Sequence, residues 1–375
     1  MFTTGCSITF IGVTFPFGGD GSGLPADDGK AREIVTRCAM CARNHGILLD
    51  MGHARQELDE TERRIAAVLM ASPRASWRTV AGALGLSERT VVRRATPLLH
   101  DGTLQPTAVR NPDRFPRLIP MALRIRCRPS RIKAIAAGLA RRADTVWVDI
   151  LGGGDEISSV LFLDGPRART SLLLRDLPAT ADVQSWDAYD LMKVFPAGFA
   201  WSAGLLTTDQ FDSLTPILRE PRDAPEIQPL DDALIDQLAA NARAGYGDLA
   251  TRLGVSASTV RRRLDVLVSG HMVRLACEVD LRLLGVDADA LLWIATGPGS
   301  LEPIGHELSR HPQVRFAAAT TGAANLLVAV AAEDLGGLYT FLTETVGSID
   351  DVRGLEVTRI LSSVKRTGRI RPSAI

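Results

Sequence analysis

The chain has 375 residues, 46 % of them hydrophobic and 23 % charged, with 43 basic and 43 acidic side chains and a formal net charge of zero. This length exceeds one typical domain, the composition excludes global disorder, and the charge balance confines any nucleic-acid site to a local basic face. Five scattered cysteines exclude a secreted disulfide framework, and no apolar run reaches the roughly 18 residues of a membrane span, so a cytoplasmic protein without a membrane segment is expected.

Residues 1–56 show no hydrophobic period and carry the Gly-rich stretch Phe17–Gly23. The apolar run Ile8–Phe17 has no basic residue before it, which argues against a signal peptide. The expectation is a disordered extension, or a chain whose start is Met51. Cys38-Ala39-Met40-Cys41 has no second cysteine pair, and the six histidines show no ligand spacing. No metal and no cofactor are therefore expected. Neither a phosphate-cradling Gly loop with lysine nor a nucleophile elbow occurs, and no catalytic residue is assigned.

From residue 57 the chain repeats itself. Leu84-Gly85-Leu86-Ser87 through Arg93-Arg94 matches Leu253-Gly254-Val255-Ser256 through Arg262-Arg263 at a constant separation of 169 residues. The same separation pairs Leu69 with Leu238, Trp77 with Tyr246, Leu123 with Leu292, Trp147 with Phe316 and Gly153 with Gly322. A period this long denotes two domain-sized units rather than a solenoid.

Each unit begins with about 50 residues of helical spacing, 57–110 and 230–280. Gly85 and Gly254 break the pattern, and Ser87 and Ser256 can cap the helix that follows by accepting from its free N–H groups. Helix, Gly turn, capped helix is a helix-turn-helix. The β-prone stretches Thr103–Val109 and Met272–Val279 are expected as wings. The second helix of such a pair enters the major groove by its N-terminal end. Ser87, Arg89, Thr90, Arg93 and Arg94 in unit one, and Ser256, Ser258, Thr259, Arg261, Arg262 and Arg263 in unit two, are the candidate DNA contacts. Pro97 lies inside the first of these helices, where it removes a backbone donor and crowds the preceding turn. Its counterpart is Val266, so the second head is expected to read DNA more strongly.

The second part of each unit, 118–195 and 286–368, mixes strands and helices. Strands are expected at Leu118–Cys127, Thr145–Leu151, Ile157–Leu163 and Val183–Phe195, with helices at Arg131–Arg142 and Arg167–Leu177. Unit two gives the same order: Ala290–Ala295, Leu301–Ser309, Val314–Thr320, Leu326–Val330, Leu335–Val346 and Val352–Val364. That order is βαββαβ, the ferredoxin-like arrangement. Residues 196–229, with five prolines, are expected as a linker with one short helix near Asp209–Leu214. The fold class is thus α+β, two winged helix-turn-helix domains each followed by a ferredoxin-like domain.

This layout resembles a tandem form of the Lrp/AsnC (leucine-responsive, feast/famine) regulators. The matching residues are Leu253–Arg263, Val314-Arg315-Phe316 through Thr321-Gly322, Leu326-Leu327-Val328, and Glu356-Val357 through Lys365-Arg366-Thr367-Gly368, and the likeness covers most of the chain outside the extension and linker. It implies a transcription factor that binds double-stranded DNA, responds to an amino acid or similar small effector, and forms homo-oligomers through its ferredoxin-like (RAM-type) domains. It also implies an effector turn of the form Thr-Gly-x-x-Asp after the second strand. Unit two has Thr321-Gly322-Ala323-Ala324-Asn325, with an amide where the family has an acid. Unit one has Gly152-Gly153-Gly154-Asp155-Glu156, where Glu156 holds the acid position by register and Asp155 is one residue away. Gly153, Asp155, Glu156, Thr321, Gly322 and Asn325 are the candidate effector residues; the alternative is that these are tight turns between core strands. A second alternative is a sirohaem-decarboxylase-like enzyme, because those enzymes resemble the same regulators and can be fused pairs. Arg315–Ala332 and Trp147–Phe162 carry no histidine, which argues against it.

Overall fold

The computed structural model describes residues 7–10, 13–16, 57–195, 201–215 and 226–371. The chain divides into two compact units, 1–54 and 55–375. In the first, β1 (Ser7–Phe10) and β2 (Val13–Pro16) form an antiparallel pair. The expectations for the rest of the extension, including Cys38, Cys41 and Met51, lie outside the described residues. Among the described residues no helix is long and apolar enough to cross a membrane.

Residues 55–375 hold both sequence repeats, unit one and unit two; in unit one, α1 (Glu60–Ala71), α2 (Trp77–Leu84) and α3 (Glu88–His100) form the first head. Their ends are written in the sequence. Asp59 and Glu62 cap α1 reciprocally, Ser76 caps α2, and α2 stops at Gly85 (φ +67°), in the left-handed region that favours glycine. Ser87 then caps α3, its Oγ accepting from Thr90 N at 3.1 Å. Pro97 sits inside α3 without ending it. The second head repeats this with α7 (Pro229–Ala240), α8 (Tyr246–Leu253) and α9 (Ala257–Ser269), with Gly254 (φ +66°) and Ser256 in the same roles.

The strands expected as wings do not serve each head separately. β3 (Gln105–Arg110) and β8 (Val273–Glu278) pair with each other, Gln105 opposite Glu278 and Arg110 opposite Val273. This ribbon crosses between the units. Cys277, Val279, Leu281 and Leu284 of unit two complete the core of the first head, and Ala108 and Phe115 of unit one complete that of the second. The expected linker is also partly structural: α6 (Thr208–Leu214) docks on the first head, where Gln210 Nε2 donates to Ala83 O at 2.8 Å and Leu214 enters the core.

Both βαββαβ units are present: β4 (Leu118–Cys127), α4 (Ile132–Arg141), β5 (Thr145–Leu151), β6 (Glu156–Asp164), α5 (Gly165–Ser171) and β7 (Val183–Val194), then β9 (Ala288–Thr296), α10 (Leu301–Ser309), β10 (Val314–Thr320), β11 (Leu326–Ala332), α11 (Leu335–Thr340) and β12 (Val352–Arg366). β12 ends in a small hairpin with β13 (Arg369–Ile370). The last strand of each unit is long, 12 and 15 residues, on the order of 40–50 Å at about 3.3 Å per residue. Each therefore outruns its own sheet. β7 pairs with β4 and then with β10 of the other unit, while β12 pairs with β9 and then with β5. The result is one closed ring, β12-β5-β6-β4-β7-β10-β11-β9 and back to β12. Ala122, Trp147, Val160 and Leu191 of unit one meet Leu291, Trp293, Ala318 and Leu327 of unit two inside the ring. The helices cover its outside through two further cores. Closure leaves none of the eight ring strands at an open edge, the site at which sheets otherwise pair with other chains.

Candidate nucleic-acid interface and effector turns

The two capped helices α3 and α9 expose their N-terminal halves. Arg89 and Arg93 on α3, and Arg261 and Arg262 on α9, are solvent-exposed. At the start of α9, Ser256 Oγ lies 2.8 Å from Ser258 Oγ and 2.9 Å from Thr259 Oγ1. Three hydroxyls and two arginines thus share one exposed helix end. On α3 the same place holds Ser87, Thr90 and Glu88, and the counterpart of Arg261 is Val92.

Two of the expected DNA contacts turn inward. Arg263 is only 5 % exposed and grips the fully buried Asp231 at the start of α7, Nε donating to Oδ1 at 2.8 Å and Nη2 to Oδ2. Asp231 Oδ2 also accepts from Gln228 N at 2.7 Å, so one carboxylate caps α7 and anchors α9. Arg94 does the equivalent work in the first head, paired with Asp59 and, at 3.6 Å, with Glu62. Its side chain stays 35 % exposed. The clue lay in the repeat register, which pairs Glu62 with Asp231 as it pairs Arg94 with Arg263, but helical spacing alone cannot say which face of a helix meets a neighbour.

The heads are joined by a reciprocal bridge that the sequence reasoning missed. Arg243 Nη1 donates to Pro73 O (2.7 Å) and Ala75 O (3.0 Å) of the first head, and its guanidinium lies 4.2 Å from the centre of the Trp77 ring. Arg74 donates to Ala242 O and Ala244 O of the second head and lies 4.9 Å from the Tyr246 ring. The Trp77–Tyr246 pairing along the chain was its trace. Burial lowers the pKa of Arg243 despite these acceptors. Each arginine thus reaches two carbonyls through one nitrogen and stacks on a ring of the other head, which joins the two heads.

The effector turns are tied into the ring. Thr321 N donates to Asp190 O at 3.0 Å and Asp190 N donates to Thr321 Oγ1 at 2.9 Å, so this turn secures the β7–β10 joint. In unit one Gly152 N donates to Arg359 O at 2.7 Å at the β5–β12 joint. Gly322 adopts φ +103°, and a Cβ there would lie 2.8 Å from the Tyr189 ring. Asn325 is used by its own sheet: Oδ1 accepts from Thr296 N (2.9 Å) and Nδ2 donates to Thr296 O (3.0 Å). Glu156 binds Arg124, whose other nitrogens reach Glu356 at 2.8 and 2.6 Å. The two carboxylates hold the Arg124 guanidinium well above its usual pKa, hydrogen bonding to Glu356 being the largest cause. Gly153 is exposed, and Asp155, half-buried, turns its carboxylate toward it. The side chains of Glu156, Thr321 and Asn325 therefore bind protein groups, as structural turns do.

Paired helix-turn-helix heads on a closed double ferredoxin-like ring give the architecture, and the class of protein follows from the similarities of its parts. Residues 58–98 and 229–267 match the AsnC-type helix-turn-helix domain, and residues 289–370 match the Lrp/AsnC ligand binding domain. The chain is 30 % identical over 147 residues to the HTH-type transcriptional regulator PH0140 of Pyrococcus horikoshii, a stretch covering 39 % of this chain and 92 % of that protein. It is 25 % identical over 139 residues to the regulatory protein AsnC of Escherichia coli K12, covering 36 % of this chain and 91 % of AsnC. The siroheme decarboxylase NirDL shares the fold over 83 % of this chain and 94 % of its own, with a TM-score of 0.52 and 10 % identity. The chain belongs to the Lrp/AsnC family of transcriptional regulators, and it is a DNA-binding regulator with two helix-turn-helix heads and a small-molecule-binding body.

Proposed function

We propose that one chain reads an asymmetric operator, one half-site per head, and adjusts its grip on DNA when a small effector such as an amino acid binds the ring. In this proposal 57–110 and 230–280 are the DNA-reading heads, 118–195 and 286–368 the effector and assembly domains, and 1–56 and 196–229 the extension and the linker. The supporting observation is the pair of recognition helices, each presenting two free arginines and its capping hydroxyls, on heads bridged by Arg74 and Arg243. A symmetric dimer presents identical heads and suits a palindrome; here α3 presents Arg89, Arg93 and Glu88 while α9 presents Arg261, Arg262 and three hydroxyls. Helix register carries this difference directly into the groove. Further association into homo-oligomers would use the outer helical faces, since closure occupies the sheet edges. We place the protein in the cytoplasm, with its DNA.

A regulator rather than a decarboxylase is supported by the interior. The cavity at one end of the ring, about 130 Å³, is small beside the roughly 300–1,000 Å³ of pockets for larger ligands, and a tetrapyrrole is larger than most of those. The test is fluorescence anisotropy on duplex DNA from upstream of the protein's own gene, against a scrambled duplex, at two salt concentrations and with an amino-acid mixture. Preferential, salt-dependent binding is expected. Equal binding to both duplexes at every salt would refute sequence-specific reading, and indifference to the mixture would refute an amino-acid effector.

A further inference from the structure

The cavity holds more cationic hydrogen-bond donors than the protein itself satisfies. It lies where the β3–β8 ribbon closes one end of the ring, walled by the ribbon, by Trp201 of the linker and by the strands below. Arg315 and Arg366 reach it from the ring and Arg274 from the ribbon. Part of this charge is balanced. Asp289 accepts from Arg315 at 2.8 Å and from Arg366 at 2.8 Å, and Arg366 also lies 3.4 Å from Asp149. Burial pushes the Asp289 carboxyl up, but the two arginines outweigh it and hold the group below its usual range.

Glu278 also lines the cavity and offsets part of the remaining charge, but no hydrogen bond joins it to Arg274 or Arg366 and donors of both stay unmet. Arg366 is 6 % exposed, yet its Nε and Nη1 have no hydrogen-bond partner. Arg274 Nε is likewise buried without a partner, and Arg274 has no ion pair among the described residues. A buried cation with unmet donors is costly, and an anion placed against it removes that cost. The adjoining wall is aromatic: Trp147 lies under the Arg315 and Arg366 guanidiniums at 4.6 and 5.6 Å, and Phe316 meets Trp147 edge-on at 5.4 Å. The two halves of the duplication differ at this point. By register Arg315 corresponds to Val146 and Arg274 to Gln105, so the basic groups belong to unit two while unit one supplies much of the apolar wall.

We propose that this cavity is a binding site for a small organic monocarboxylate with a compact apolar body, its carboxylate on Arg274 and Arg366 and its body against Trp147 and Phe316. The volume of about 130 Å³ is on the scale of cavities that hold a single benzene ring. The site is separate from the turns at Gly153 and Gly322, and its volume, on the scale of one benzene ring, disfavours a longer ligand such as L-phenylalanine. It extends the effector reading by naming the ligand's chemistry, and it rests on that reading only in supposing that the heads respond to it.

The test uses benzoate as probe, with benzamide, inorganic phosphate and L-phenylalanine as controls, followed by calorimetry and by tryptophan fluorescence of the full chain. Saturable benzoate binding with fluorescence change is expected, with benzamide and L-phenylalanine at least tenfold weaker and phosphate weaker still. Arg274→Gln breaks no internal ion pair and should weaken benzoate at least tenfold; Ala276→Leu, which fills the cavity, should abolish binding while leaving the ligand-free melting temperature within a few degrees. No saturable benzoate binding, equal binding of benzamide or phosphate, or binding unaffected by both variants would overturn the assignment. Anisotropy on the same preparations separates the two failures. No benzoate binding by the unsubstituted chain with intact DNA binding removes the cavity assignment alone, and benzoate binding without DNA binding removes the regulator reading alone.

Discussion

Replacing Arg263 with alanine should loosen the second head far more than Arg94→Ala loosens the first, although the two residues are repeat equivalents. Arg263 and Asp231 are 7 % and 0 % exposed at their side chains, whereas Arg94 and Asp59 are 35 % and 45 % exposed. Removing one partner of a buried pair strands the other charge and costs about 3–5 kcal/mol; an exposed pair contributes about 0–1 kcal/mol. At about 1.4 kcal/mol per tenfold, the first cost corresponds to roughly two to three and a half powers of ten in the local opening equilibrium and the second to less than one. Hydrogen exchange followed by mass spectrometry reads the heads separately. Arg263→Ala should cut protection in α7–α9 by at least a hundredfold, and Arg94→Ala should cut protection in α1–α3 by less than tenfold. The double variant Asp231→Leu with Arg263→Met, which leaves no stranded charge, should recover most of the loss. Equal effects of the two single variants, or no recovery in the double, would refute the assignment of Arg263 to the head's interior.

Arg261→Ala with Arg262→Ala should leave melting unchanged but weaken DNA binding and reduce the salt slope by about 2, one counterion for each lost phosphate contact; an unchanged slope in anisotropy would remove both residues from the interface. Gly322→Ala should destabilise the protein by about 1–3 kcal/mol, because alanine meets both a strained φ and the Tyr189 ring. Gly153→Ala should cost less than about 1 kcal/mol, since its added Cβ meets only the end of the Asp155 side chain; urea midpoints compare the two. A further prediction concerns pH. Burial holds the His311 pKa below its usual 6.5, and Nδ1 accepts from Gln313 N at 3.3 Å, which requires the unprotonated nitrogen. The unfolded chain therefore binds more protons below about pH 6.5, so stability falls as pH drops through that range. His271 is shifted the same way by burial. His311→Gln should shrink the loss in urea midpoint between pH 7.5 and 5.5; an unchanged loss would clear His311 of the effect.

Much of the fold was legible because its determinants are local. Gly85 and Gly254 sit at left-handed helix ends, Ser87 and Ser256 cap the helices that follow, and short, largely buried runs mark β4, β5 and β10, so these elements lie where composition and spacing put them. The 169-residue repeat placed two equivalent units in one chain. The site was legible only in part. Arg89, Arg93, Arg261 and Arg262 are exposed as expected, while Arg94 and Arg263 turn inward because their carboxylate partners lie on other helices about 32 residues or more away in the chain.

Tertiary structure decided what depends on distant partners. The stretches expected as wings form one ribbon because each finds its complement in the other unit. Thr321 is drawn into the ring because closure brings it to Asp190 of the other unit, while Asn325 and Glu156 are taken up by Thr296 and Arg124 on strands of their own units. The reciprocal Arg74–Arg243 bridge and the unmatched guanidiniums of the cavity exist only once the two halves meet. Sequence by itself determined the elements and their duplication, since helix caps, turns and apolar runs act within a few residues; closure of the ring, the joining of the heads and the unmet donors of the cavity came from packing, where residues far apart in the chain become neighbours.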